Sequence, residues 1–330
     1  MSESLLKTQL QTAIQSFDTQ ATLTFRQAAL GLFSKLGYAS ERTLATGSVA
    51  DFCTQFDSKN RLDHPSAMRA QWQAVELLFQ LTDEELSSSA SLFKDTTVSS
   101  RLMRSYVFFA IELKPTANAG DYARGKLAAI ARQINRLFPM PVMVLFKVPS
   151  KAGGKLSLAV INRRAHKRDD SKDVMGKVTL IQNISIAQPH RGHLDILASF
   201  SVPELQARKQ PVSNFDELHA AWEAVFNVEL LNKRFYEELS NWYFWARKQV
   251  SFPDDLEKDT DKRNATSVIR LLTRLIFCWF LKEKDLIPDR LFDVDELQAA
   301  LAKFDDWTTR TAPITAPFCK TCFLPRSISL

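Results

Sequence analysis

Apolar side chains along this chain fall first at helical and then at extended spacing. Leu5, Leu6, Leu10 and Ile14, then Phe25, Ala29, Leu30 and Phe33, recur every three or four positions, which predicts helices over 3–16 and 24–36. Thr24 can cap the second helix and Gly37 can end it. Residues 64–81 begin with helical spacing and pass into an extended run at 75–81, and Thr82-Asp83-Glu84-Glu85 has the form of a capping box. The run 106–114 is apolar until its last residues and predicts a buried strand ending in charge. After a break at 115–120, Leu127, Ile130, Ile134 and Leu137 mark a helix over 121–138. Strands follow at 142–148, 156–162 and 178–186, the first two joined by a Gly-Gly turn and the last preceded by a charged loop. This β-α-β-β-β order predicts an α/β domain with a mixed sheet. From Asn214 the pattern becomes helical, with helices expected at 215–226, 230–250, 265–284 and 295–304 and a charged linker at 254–262. The expected division is an α/β domain over 1–210 and an all-α connector over 211–307.

Composition agrees with a helix-rich globular chain: 9 glycines, 23 phenylalanines and 45% hydrophobic residues in 330. Cys319 and Cys322 form a C-x-x-C pair, but no second pair completes a zinc site, and Cys278 reads as a small core residue. No uninterrupted apolar run reaches the length of a membrane span, so a cytoplasmic protein with reduced thiols and no membrane partner is expected. The charge is uneven. Between Arg101 and Val174 fifteen Lys and Arg face five Asp and Glu, a net of +10 in a chain of net +6. A basic region of that size suits a polyanion, with a solvated surface as the alternative.

Glu112-x-Lys114, at the end of the buried run, carries the sharpest chemistry. Period-2 spacing puts both side chains on one face, the arrangement used by PD-(D/E)xK metal-dependent nucleases. There a carboxylate binds Mg²⁺ and a lysine stabilises the attacked phosphate. Such a site needs a second acid, for which Glu76 and Asp83 are the candidates, and the expected metal ligands are Glu112 and Asp83. Charged strand ends also serve as plain ion pairs, which is the competing reading. Arg163, Arg164, Lys167 and Arg168 are expected in a loop that can hold DNA phosphates, unless Asp169, Asp170 and Asp173 neutralise them. Arg124 and Lys126 open the helix after Glu112-x-Lys114, a placement suited to a phosphate. Trp242, Tyr243 and Trp245 fall at helical spacing and read as core. No phosphate-binding P-loop, glycine-rich S-adenosylmethionine loop or Asn-Pro-Pro-Tyr-type motif is present.

The strings Ser105 to Lys114, Leu137 to Lys147, Leu158 to Asp169, Leu231 to Trp245 and Arg263 to Lys284 together resemble the amino-terminal region of single-chain (type IIG) restriction-modification enzymes, across about residues 20–307. The resemblance implies a PD-(D/E)xK nuclease-like module with possible Mg²⁺ dependence, acting on double-stranded DNA in phage defence. It also implies a helical connector and, beyond this chain, an adenine-specific methyltransferase domain or subunit that would use S-adenosylmethionine. It supports Glu112 and Lys114 as motif positions and leaves the upstream acid unfixed. A catalytically inactive DNA-binding or structural module is the alternative. After Trp307 the resemblance stops. Reading synonymous codons for 312–323 in another frame yields Thr-Tyr-Tyr-Ser-Ala-Ile-Leu-Gln-Asn-Leu-Phe, a family-like continuation. The segment 308–330 is therefore expected to be a frameshifted tail in which Cys319 and Cys322 have no evolved role.

Overall fold

The computed structural model describes residues 3–18, 23–86, 105–116, 122–149, 154–166, 169–208, 212, 214–226, 228–253, 257–283, 286–292 and 297–298. At 162–177, 228–232 and a few single positions it describes the backbone alone. The chain divides into two compact units, 1–230 and 231–330.

The first unit is an α/β fold built on a five-stranded mixed sheet. Its strands are β1 (Trp72–Thr82), β2 (Ser105–Leu113), β3 (Val142–Val148), β4 (Lys155–His166) and β5 (Asp169–Ser185), in spatial order β1-β2-β3-β4-β5. The β2–β3 pair is parallel and the other three are antiparallel. The parallel pair exists because α5 (Arg124–Asn135) carries the chain back across the sheet between its two strands. β2 is buried on both faces from Ser105 to Ile111. That explains why its sequence is a continuous apolar run rather than an alternation.

Each face has its own core. Phe108, Ala110, Met143, Leu145, Leu158 and Val160 pack under α1 (Glu3–Gln15), α2 (Phe25–Lys35), α6 (Arg191–Phe200), α7 (Val202–Gln206) and α8 (Phe215–Val225). Val107, Phe109, Ile111, Val144 and Phe146 pack under α5 and α3 (Val49–Phe56). Thr24 and Gln27 form the expected capping box on α2. The helix closes as a Schellman turn, with the Tyr38 amide donating to the Phe33 carbonyl and the Gly37 amide to that of Ser34. Gly37 sits at φ 83° there. A Cβ at that position would lie 3.0 Å from side-chain atoms of Val202 and Pro203.

Three sequence expectations change. Residues 61–71 form three short 3-10 turns rather than a helix, and β1 begins at Trp72. The capping pattern does open a helix, α4 (Asp83–Leu86), with the Thr82 amide donating to Glu85 Oε2 at 2.9 Å. The expected basic loop at 163–168 belongs largely to a hairpin: β4 runs through His166, and β5 starts at Asp169 instead of 178. Backbone pairing thus continues past the Ile161–Val178 rung. Finally, α8 belongs to the first unit rather than to a domain starting at 211, because Leu218 and Trp222 are built into its core.

In the second unit the described residues form α9 (Val228–Gln249, which begins in the first unit), α10 (Thr260–Glu283) and a short turn at Asp289–Phe292. α10 starts inside the expected linker. Asn264 fixes the approach to it, accepting from the Phe252 amide at 3.1 Å and donating to the Val250 carbonyl at 3.0 Å. Thr260–Lys282 is long and apolar enough, by length and composition alone, to cross a membrane. It carries Arg270 and Arg274 near its middle, where each charge would be costly in lipid. Phe235, Tyr236, Phe244 and Trp245 on α9 and Ile269, Ile276 and Phe277 on α10 are exposed. Trp242 and Tyr243 are half-buried. Most of the expected helix at 295–304 and all of 308–330 lie outside the described residues.

Candidate active site

The carboxyl ends of β2 and β3 lie side by side, and the last polar residue of each points to the face that carries α1 and α2. In the parallel register Glu112 stands opposite Lys147. The Lys147 ammonium lies 2.9 Å from Glu112 Oε1, with the two side chains 14% and 20% exposed. On the other side of β2, Glu76 pairs with Ala110 in the antiparallel register and Ala74 with Glu112. Glu76 is therefore the diagonal neighbour of Glu112 on the same face, roughly 7–8 Å away at the backbone.

Glu76 is held as firmly as Glu112. Arg26, reaching from α2, donates to Glu76 Oε2 at 3.0 Å, to the Leu77 carbonyl at 2.7 Å and to the Leu44 carbonyl at 3.1 Å. The Thr46 hydroxyl donates to the Val75 carbonyl at 2.6 Å and lies 3.4 Å from the same Glu76 oxygen. With the Gln80 amide bonded to the Arg42 carbonyl, these contacts cover the outer edge of β1, which would otherwise expose unpaired backbone groups. The site thus contains two half-buried carboxylates on one sheet face, each balanced by a cation from a different element.

Other expected site residues lie elsewhere. Lys114 follows β2 and is exposed; its amide donates to the Gln71 carbonyl and its ammonium to the Ala70 carbonyl, both at 2.8 Å. It therefore leans toward β1, away from Lys147. Asp83 cannot join Glu112 as a metal ligand. It follows Thr82, which pairs with Ser105 at the opposite end of β2, on the order of 20 Å from Glu112 at strand rise. Asp83 instead accepts the Phe215 amide at 2.9 Å and anchors the start of α8. Arg124 and Lys126 are exposed at the start of α5. That helix packs on the opposite face, and the Tyr122 hydroxyl ties its approach to the Lys114 carbonyl at 2.6 Å. Arg163 and Arg164 pair through their backbones with Met175 and Val174, beyond the start of β3 and so at the end of the sheet away from Glu112. Lys167 and Arg168 lie outside the described residues.

Sequence reasoning missed Arg26 and Lys147. Arg26 stands beside Gln27 in the first turn of α2, and nothing local marks it as the partner of a distant carboxylate. Lys147 was legible in principle: a strand-helix-strand unit makes its strands parallel neighbours, so their terminal polar residues come level.

Mg²⁺ is commonly held by one or two carboxylates, with water and substrate phosphate filling the shell. Glu76 and Glu112 fit that donor set. Among the described residues no group of three or more His, Cys, Asp or Glu gathers, so these two would be the protein's share. No protein-family model, curated protein or solved structure matches the chain.

Proposed function

We propose that the first unit is a Mg²⁺-dependent nuclease module of the PD-(D/E)xK kind, acting on duplex DNA. In this reading it is the amino-terminal part of a type IIG restriction-modification protein working in the cytoplasm. The observation that carries the reading is the shared face of Glu76 and Glu112 at the carboxyl ends of the parallel strands, where α/β sheets commonly bind ligands. Glu76 takes the role of second acid for which the sequence offered both Glu76 and Asp83. Both carboxylates would hold the ion, which when bound would neutralise phosphate charge and acidify a water. The protein's own part is to hold both acids on one face, which Arg26 and Lys147 do through their ion pairs.

The second unit is then an all-α connector. The exposed aromatic and aliphatic side chains of α9 and α10 support a docking role toward a methyltransferase domain or subunit. S-adenosylmethionine would be that partner's cofactor.

Supercoiled plasmid incubated with Mg²⁺ or Mn²⁺ tests the reading. Wild-type protein should nick or linearise it, and Glu112→Gln and Glu76→Gln, which keep the side-chain size and a hydrogen-bonding oxygen, should abolish this in folded protein. One observation favours the inactive DNA-binding alternative: both carboxylates are engaged in ion pairs. An uncut plasmid together with a strongly destabilised Glu112→Ala protein would select that alternative.

A further inference from the structure

We infer that the lysine serving the scissile phosphate is Lys147 on β3, and that Lys114 of the Glu112-x-Lys114 string has no part in the chemistry. The inference rests on the nuclease reading and assigns one of its roles.

The two lysines flank Glu112 on opposite sides. Lys114 lies past the last residue of β2, and its amide continues the pairing toward the β1 side. Its ammonium is spent on the Ala70 carbonyl, and its side chain is exposed to solvent. Lys147 is still inside its strand, level with Glu112, and mostly shielded from water. Its ammonium lies 2.9 Å from the carboxylate that would face the substrate. An ammonium has three donor hydrogens, so one bond to Glu112 leaves others for a phosphate oxygen. A cation fixed in advance at the carboxylate and partly desolvated stabilises developing charge better than a hydrated one held elsewhere.

Hydrolysis adds water across a P–O bond. The water oxygen bonds to phosphorus and its proton passes to solvent. The bond to one deoxyribose oxygen breaks, its electron pair stays on that oxygen, and the oxygen takes a proton from solvent. Charge builds on the non-bridging phosphate oxygens during this exchange, and Lys147 is placed to meet it.

Lys147→Gln, Lys147→Arg and Lys114→Gln should be compared with wild type in plasmid cleavage, in Mn²⁺ calorimetry and in thermal melts. Lys147→Gln should lower the cleavage rate by about 100-fold or more, Lys147→Arg should recover part of it, and Lys114→Gln should stay within a few fold of wild type. Mn²⁺ should bind Lys147→Gln as tightly as wild type or more tightly, because a competing cation is gone, whereas Glu112→Ala should lose binding. Loss of Mn²⁺ binding in a folded Lys147→Gln protein would make Lys147 a positioning residue and overturn the inference. So would full cleavage by Lys147→Gln, or an equal loss in Lys114→Gln. Those results leave the nuclease reading standing. Wild-type protein that neither cuts DNA nor binds Mn²⁺ removes the reading and the inference together.

Discussion

Trp222 donates its indole N–H to the Tyr38 hydroxyl at 2.7 Å, and Tyr38 in turn donates to the Phe200 carbonyl at 2.6 Å. All three residues are buried, and the chain joins α8 to α6 and to the residue that closes α2. Tyr38→Phe removes the acceptor and leaves the indole unpaired, which should cost about 1–3 kcal/mol. Trp222→Ala should cost about 3–5 kcal/mol. Urea unfolding of both variants measures this. A chain ending at residue 210 should unfold without cooperativity, and one ending at Leu230 should keep a sharp transition. Equal behaviour of the two would show that α8 contributes nothing to the first unit.

Arg26 supports the edge of β1 through three backbone carbonyls as well as Glu76. Arg26→Ala should destabilise the unit by about 2–3 kcal/mol, and Arg26→Lys should restore only part, since an ammonium lacks the planar fork. Denaturant midpoints decide the matter. A lysine variant as stable as wild type would reduce the contact to a simple charge pair.

Burial pushes the Tyr38 and Tyr106 phenols well above their ordinary range; the Trp222 hydrogen bond opposes this at Tyr38, and the Glu223 charge adds to it at Tyr106. Below about pH 10, the unfolded phenol value, both states keep their protons and stability is complete. Above it the unfolded chain releases protons that the folded chain retains, so stability falls as pH rises. The expected slope is up to about 1.4 kcal/mol per pH unit for each tyrosine. Urea midpoints between pH 9 and roughly 11.5 should show it, and Tyr106→Phe should halve the slope. No change in that variant would contradict the assignment.

The basic residues should act on DNA as two separate groups. Arg163→Ala with Arg164→Ala should flatten the log–log salt dependence of binding by up to about 1.8. Arg124→Ala with Lys126→Ala should do the same, and the losses should add, because the pairs lie at opposite ends of the sheet. Fluorescence titrations across a salt series provide the test, and an unchanged slope removes that pair from the interface.

Much of the first unit was legible because burial writes itself into β2 and into the apolar stripes of α2 and α5. The capping box at Thr24 and the stop at Gly37 follow from local chemistry alone. Asp83 was misplaced for a topological reason: nearness to a strand in sequence does not say which end of the next strand it meets. β1 runs antiparallel to β2, which brings Glu76 near Glu112 and carries Asp83 away. α3 and α6 escaped notice because their apolar faces are short and become clear only when the sheet they cover is present. The Arg26–Glu76 and Lys147–Glu112 pairs depend on contacts between elements, which no single segment encodes.

Under the proposed nuclease function, the hairpin of β4 and β5 would also act as a ruler. Its basic residues stand on the order of 20 Å, along the strands, from the level of Glu112. At 3.4 Å per base pair, a duplex that follows the strands and touches both would have the phosphate facing Glu112 about six base pairs from the one gripped by Arg163 and Arg164. Adding or removing two residues in each strand of the hairpin, between that level and the arginines, would move the grip by about two base pairs without moving the carboxylates, so the spacing between protected and cut positions in a footprint would be set by strand length.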